Sequence, residues 1–295
     1  MKNYLSVGQL RLVVFAFVPA WIVGMLIMRL SSAPMAMLLM NLGAGIIGFV
    51  GVLYGARGLS SAIAKTPFPF ALAILGTITF TLFDRGLDGV HRWLQLGPVR
   101  LHAAALTTPI LLFALARLWL EQKTVLVLGL VAASLALHII QPDAGQATAL
   151  GAATMILAIF PDKRHVARGT LALVAAASIT GAWIRPDPLA SVPMVEGIVA
   201  EAFVLHVALG VVACVALVLL PAMALRIAHQ YRTNHFVWLF GTLLAAYFAA
   251  SIAVAAVGAF PVPVLGFGAS PILGALLGLG LLQSSAPREP SPSKS

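Results

Sequence analysis

Nine carboxylates are spread over 295 residues, and three of them, Asp187, Glu196 and Glu201, fall within the single stretch RPDPLASVPMVEGIVAE, Arg185 to Glu201. Apolar runs flank this stretch on both sides, and a carboxylate beside hydrocarbon costs on the order of 3 kcal/mol even on lenient insertion scales. Groups kept there are candidates for proton transfer or for pairing with a cation, although the same composition also describes a plain solvated loop. A second polar segment, DRGLDGVHRWLQLGPVR over 84–100, gathers Asp84, Arg85, Asp88, Arg92 and Arg100 around His91 and Trp93. Planar guanidinium groups match phosphate oxygens in pairs, so Arg85, Arg92 and Arg100 are candidates for an anionic headgroup. The alternative is an interfacial loop with Trp93 as a headgroup-level anchor. A third segment, QPDAGQATAL over 141–150, sets Asp143 after a proline where an apolar run stops, and Pro-Asp recurs at Pro161-Asp162 and Pro186-Asp187. A helix breaker followed by a capping side chain explains that pattern alone, so Asp143 as an N-cap stands beside Asp143 as a site residue.

The elements that must hold these groups follow from composition. The chain is 61% hydrophobic and 9% charged, with a mean hydropathy of +1.02, far from the roughly 25% charged of soluble domains. Apolar runs near 12–28, 34–54, 67–83, 101–116, 124–141, 147–161, 169–184, 202–225, 236–258 and 262–283 predict about ten transmembrane helices. The fold class expected is all-α: one polytopic membrane bundle over 1–283, followed by a polar, disordered cytoplasmic tail over 284–295. Ser31-Ser32-Ala33 has the small residues of a cleavage site, but Pro34 follows it, so the first helix is expected to be retained.

A net charge of +9 could suggest nucleic acid, but the basic residues are scattered singly among loops, so no nucleic-acid partner is expected; the lipid bilayer is the partner implied. The sole cysteine, Cys214, sits in an apolar run and leaves neither a disulfide framework nor a thiolate metal site. With the N-terminus in the cytoplasm, ten crossings put 13 Lys and Arg inside and 5 outside, namely Arg29, Arg85, Arg92, Arg100 and Arg185, and both termini inside. Six of the nine acids, including Asp143, Asp187, Glu196 and Glu201, then lie outside. Acids do little to set topology, so this second asymmetry places any chemistry on the outer face. A last outer segment, GAFPVPVLGFGASPILGALLGLGLL over 258–282, opens with Pro261, Pro263, Gly266, Gly268 and Pro271. Non-helical backbone at such depth survives only when buried in protein or lining a wet cavity. His138 and His206 lie inside apolar runs and are expected to be packed within the bundle.

Together and in this order, these segments resemble the SEDS family (FtsW, RodA and SpoVE), membrane glycosyltransferases of cell-wall synthesis. HRWLQLGP, His91 to Pro98, is similar to that family's RRWI-x-LGP segment, and QPDAGQATAL to its QPDLGTA segment. PVPVLGFGASPILGALLGLGLL is similar to the LPFISYGGSS ending, and the run down to Gly210 resembles HTDFIFAVIAEELGLIG. Anchored on Gly210, the last comparison sets Glu196 at the family's essential Asp. The likeness covers roughly 84–161 and 185–283. The chain departs from the pattern in lacking the long outer insert with its YQ and SGG motifs. It also carries Met194-Val195 for His-Thr, LHAA near the place of QPSE, and Phe267 for the Tyr of SYGG.

The resemblance implies polymerisation of a lipid-linked disaccharide (lipid II) on the outer face of a bacterial cytoplasmic (inner) membrane, in cell division or cell-shape maintenance, with a membrane-anchored transpeptidase or another division or elongation protein as partner. It implies Glu196 as general base, and Arg92, Trp93, Arg85, Arg100, Asp143 and Asp187 as the substrate-binding set. No cofactor is certain; a divalent cation such as Mg or Mn could share the diphosphate, although no ligand spacing identifies a metal site. A catalytically idle SEDS-like scaffold for wall-synthesis partners is the first alternative. A carrier of a lipid-linked or anionic substrate is the second, and such a carrier should show paired broken helices in internal repeats, which the sequence lacks.

Overall fold

The structure, a computed structural model, describes residues 5–97 and 99–287. Eleven helices and one short hairpin succeed one another among the described residues: α1 Val7–Leu30, α2 Met35–Lys65, α3 Pro67–Phe80, β1 Trp93–Leu96, β2 Val99–His102, α4 Ala103–Leu120, α5 Thr124–Ile140, α6 Ala144–Ile159, α7 His165–Ile184, α8 Ile198–Leu205, α9 Val207–Gln230, α10 His235–Val257 and α11 Ala269–Ser285. Six of them (α1, α2, α4, α7, α9 and α10) are long and apolar enough to cross a membrane alone, and α3, α5, α6 and α11 are shorter apolar helices. Each of the ten predicted runs therefore contains a helix, and the protein is a multi-pass membrane protein. The shorter crossings gain length from irregular caps. A single 3₁₀ turn, Thr81–Phe83, extends α3, and the non-helical 258–268 segment precedes α11.

Local chemistry sets several boundaries. Ser6 and Gln9 form a capping box at the start of α1, and Asn234 accepts from Phe236 and Val237 N–H at the start of α10, each satisfying N–H groups the helix itself cannot. Expectation and structure differ at four places. The outer segment between α3 and α4 is not a plain loop: β1 and β2 pair antiparallel with Trp93 opposite His102 and Gln95 opposite Arg100. The alternation in Trp-Leu-Gln-Leu around Gly97, which has φ +60°, carries the period-2 signal that favours a hairpin over a featureless loop. The eighth run is split, because His206 turns to extended backbone (φ −167°) and its side chain caps α9; this histidine is exposed rather than packed, whereas His138 is fully buried. The final helix begins at Ala269 and runs to Ser285, so the expected tail starts later than 284. The rest of that tail, from 288, lies outside the described residues, as does Pro98 of the HRWLQLGP segment.

One end of the bundle collects the α1–α2 turn, the 84–102 segment, the α5–α6 turn, the 185–197 loop and the 258–268 segment. This is the end the charge count assigns to the outer face. The 258–268 segment is deeply buried at Val262, Val264 and Leu265. Asn41, six residues into α2 and so on the order of 9 Å below its start, donates to the Gly266 carbonyl at 3.2 Å and accepts from Gly268 N–H at 3.0 Å. Val262 N–H donates to Val195 O and Phe267 N–H to Met194 O. These bonds satisfy non-helical backbone at membrane depth from within the protein, as hydrocarbon requires. Two glycines permit the close approach: a Cβ on Gly24 of α1 would collide with the Leu265 carbonyl, and one on Gly274 of α11 with the Ala105 carbonyl.

Candidate outer-face site

A cavity of about 470 Å³ opens at this end, lined by the hairpin, the starts of α4, α6 and α11, the 188–197 loop and α10. Its size suits part of a large amphiphilic ligand. Arg92, the residue before β1, is buried in its wall, with its side chain only 4% exposed. Its Nε donates to the Gln141 carbonyl at 3.3 Å, and its Nη2 donates to the Pro142 carbonyl and, at 2.6 Å, to Asp187 Oδ2. Asp143 Oδ2 lies 4.0 Å from Arg92 Nε. A single guanidinium thus joins segments near positions 92, 142 and 187, and its burial is tolerable because each charge has a partner.

Asp143 plays both roles the sequence left open. Oδ1 accepts from Gln146 N–H at 3.0 Å and caps α6, while Oδ2 faces His102 Nε2 at 3.2 Å. The His102 tautomer follows from its second contact: Nδ1 accepts from Ala105 N–H at 3.3 Å, capping α4, so Nε2 carries the proton and turns it toward Asp143. Burial opposes the Asp143 charge, but the Arg92 guanidinium and the His102 hydrogen bond outweigh it and hold the carboxyl well below the usual range. Gln141 fixes the same turn from below, donating to Ile78 O at 3.1 Å and to Thr81 Oγ1 at 2.6 Å.

Glu196 sits in the turn before α8, half-buried and on the cavity wall. Its Oε2 accepts from Val192 N–H at 2.7 Å, which closes the turn and aims the side chain. Burial pushes its pKa upward, helped by the Asp187 charge and opposed by Arg92 and the Val192 N–H. A carboxylate with raised proton affinity, partly desolvated and facing a cavity, has the character of a general base. Glu201 is turned elsewhere: it accepts from the Ser31 hydroxyl at 2.8 Å and ties α8 to the end of α1.

Of the residues singled out from sequence, Arg92, Trp93, Arg100, Asp143 and Glu196 line the cavity. Asp187 reaches it only through Arg92. Arg85 is exposed on the 84–92 turn, away from the cavity lining. Polar lining residues that the sequence did not single out include His102, Gln146, Tyr247, Ser251 and Ser270. Tyr247 donates to Gln146 Oε1 at 3.0 Å across 101 residues. The one available signal was polarity within an apolar run. That signal attends many buried hydroxyls and does not separate Tyr247 from Thr154, whose hydroxyl merely bonds its own helix.

A divalent cation finds little to bind here. No group of three or more His, Cys, Asp or Glu among the described residues is placed to hold a metal. Asp143 in the wall and Asp187 behind it are both occupied by Arg92. The donor set does not fit such an ion.

No protein-family model and no curated protein matches the sequence. Solved structures do match. The rod shape determining protein RodA of Thermus thermophilus aligns with a TM-score of 0.64 and 18% identity, covering 95% of this chain and 96% of that one. An Asp-to-Ala mutant of the same protein aligns equally well. A chain from a structural study of polymerization and crosslinking by a peptidoglycan synthase complex aligns at 0.58 and 19% identity, over 95% of this chain and 96% of that one. The resemblance read from the motifs thus holds at the level of the fold: this chain has the RodA fold along nearly its whole length.

Proposed function

We propose that this chain, built on the RodA fold, is a SEDS-type glycosyltransferase of a bacterial cytoplasmic membrane, using a lipid-linked sugar donor at its outer-face cavity. The observation that carries the reading is the convergence of Glu196, Arg92 and Asp143, far apart in sequence, on one cavity at the acid-rich end of the bundle. Glu196 accepts the proton of the acceptor sugar hydroxyl; the freed oxygen forms its bond to the donor's anomeric carbon as the bond to the phosphate oxygen breaks, and diphosphate-lipid leaves. Burial raises the proton affinity of Glu196 toward the working pH, which suits that role. Arg92 and Arg100 stabilise the departing negative charge. Asp187 holds Arg92 at 2.6 Å in the resting state, so an incoming diphosphate exchanges with that carboxylate. His102 and Asp143 act through Arg92 by keeping it in place.

The class of product is a glycan polymer of the cell wall, and the partner in this reading is a membrane-anchored transpeptidase that crosslinks it. The apolar lining contributed by Phe248, Val254 and Phe260 suits the first part of a lipid chain. The test is polymerisation of a lipid-linked disaccharide by the purified protein, alone and with a transpeptidase. Product from the wild type and its loss in Glu196→Gln are expected, because the amide still accepts the Val192 N–H but cannot take a proton. No product from the wild type under either condition overturns the enzyme reading and leaves a scaffold role.

A further inference from the structure

Three helices, α4, α6 and α11, begin at the cavity wall, and a helix N-terminus presents unpaired N–H groups and partial positive charge to whatever lies before it. Two of these ends are closed by side chains: His102 takes the Ala105 N–H of α4 and Asp143 the Gln146 N–H of α6. The end of α11 is open. Gly268 precedes it and supplies no capping side chain, and its own N–H is held by Asn41 Oδ1, which fixes the turn. The second helical residue, Ser270, is 2% exposed and lines the cavity, yet its hydroxyl has no hydrogen-bond partner among the described residues. A buried hydroxyl without a partner is unfavourable, and here it stands beside the N–H groups of Ala269 and Ser270 with nothing to receive them.

We propose that the open start of α11 and the Ser270 hydroxyl form an oxyanion subsite that takes a phosphate oxygen of an anionic ligand. The proposal rests on the reading of the cavity as a substrate site and adds a second place for the phosphate beside Arg92, whose Nε and Nη2 are already engaged by Asp187 and two carbonyls. A cation is repelled by the helix end, whereas an anion gains from both the N–H groups and the dipole. Arg100 lines the same cavity and adds to the attraction. The phosphate could belong to a free anion or to a lipid-linked one, and the two are separable by experiment.

The measurement is calorimetric binding to the full-length protein in nanodiscs, with sodium pyrophosphate and farnesyl diphosphate as probes and farnesol as the chain-only control. Wild type is expected to bind farnesyl diphosphate and not farnesol. Ser270→Ala, which removes one atom, is expected to weaken binding about 5-fold, the worth of one hydrogen bond. Ser270→Asp, which sets a negative charge against the phosphate, is expected to weaken it at least about 30-fold. Farnesyl diphosphate binding well above pyrophosphate identifies a lipid-borne phosphate; equal binding identifies a free anion, and both support the subsite when Ser270 variants reduce them. Binding by neither diphosphate, or affinity unchanged in both variants, overturns it. Polymer formation with Ser270-independent binding would remove the subsite and leave the proposed activity standing. Ser270-dependent binding without polymer would do the reverse.

Discussion

Arginine–aspartate pairs hold both ends of the bundle, and they do so at different range. At the inner end Arg164 pairs with Asp162, two residues away, also donates to Thr124 Oγ1 and the Trp119 carbonyl, and stacks over the Trp119 ring at 3.7 Å. Every contact closes a turn or packs a neighbouring loop, and the group takes no part in the outer cavity. At the outer end Arg92 pairs with Asp143 and Asp187, donates to carbonyls some 50 residues away, and stands in the wall of the cavity. The same ion-pair chemistry staples a loop in one place and assembles a candidate active site from distant segments in the other. The distinction lies in what the arginine joins rather than in the strength of the pair.

Substitution separates the two ends most strongly through burial. Arg92→Met leaves Asp143 charged and enclosed, a defect worth about 3–5 kcal/mol, and is expected to give the largest fall in thermal midpoint. Arg164→Met leaves Asp162, which water can reach, and is expected to cost about 1–2 kcal/mol. Equal losses would show that the outer pair is no more buried in the membrane than the inner one. Asn41→Ala comes between them: it removes both side-chain bonds that hold the 266–268 backbone and is expected to cost about 1–3 kcal/mol, with faster hydrogen exchange at Gly266 and Gly268 as the specific readout.

Acid should part the two ends as well. Glu196 must be ionised to act as a base, and burial raises its pKa above the ordinary 4.5, so activity is expected to fall as pH drops through that raised value. Asp162 is depressed below its ordinary 3.8, chiefly by the Arg164 hydrogen bond. Its contribution to stability is therefore present above 3.8 and is lost only as pH falls through the lower folded value. On acidification from neutral pH the expectation is that turnover falls before the inner staple is lost; parallel loss of activity and thermal midpoint would contradict it. The smallest effect predicted is that of a chelator. Because Asp143 and Asp187 are held by Arg92 and the described residues form no metal cluster, chelation is expected to change polymer yield less than about twofold.

Much of the bundle was legible because hydrocarbon thickness converts directly into run length, and each of the ten runs contains a helix. Pro142-Asp143 was legible as punctuation because breaker and cap are adjacent in the chain. The hairpin carried its signal in alternation around Gly97 but lay inside a segment whose charges drew attention first. His102 was illegible: its meaning comes from Asp143, 41 residues on, and no local pattern records that meeting. Ser270 and Tyr247 were hidden likewise, since a hydroxyl in an apolar helix usually bonds its own backbone, as Thr154 does. The break at His206 has no proline or glycine beside it; the histidine side chain that caps α9 makes it.

The account is tested most directly by polymerisation of a lipid-linked disaccharide with Glu196→Gln and Arg164→Met measured beside the wild type. The expected result is a loss of about 100-fold or more for Glu196→Gln, the contribution of a general base, at wild-type thermal midpoint, with Arg164→Met keeping its activity per folded molecule. Polymer formed equally well by Glu196→Gln would contradict the assignment of the outer cavity as the site of chemistry.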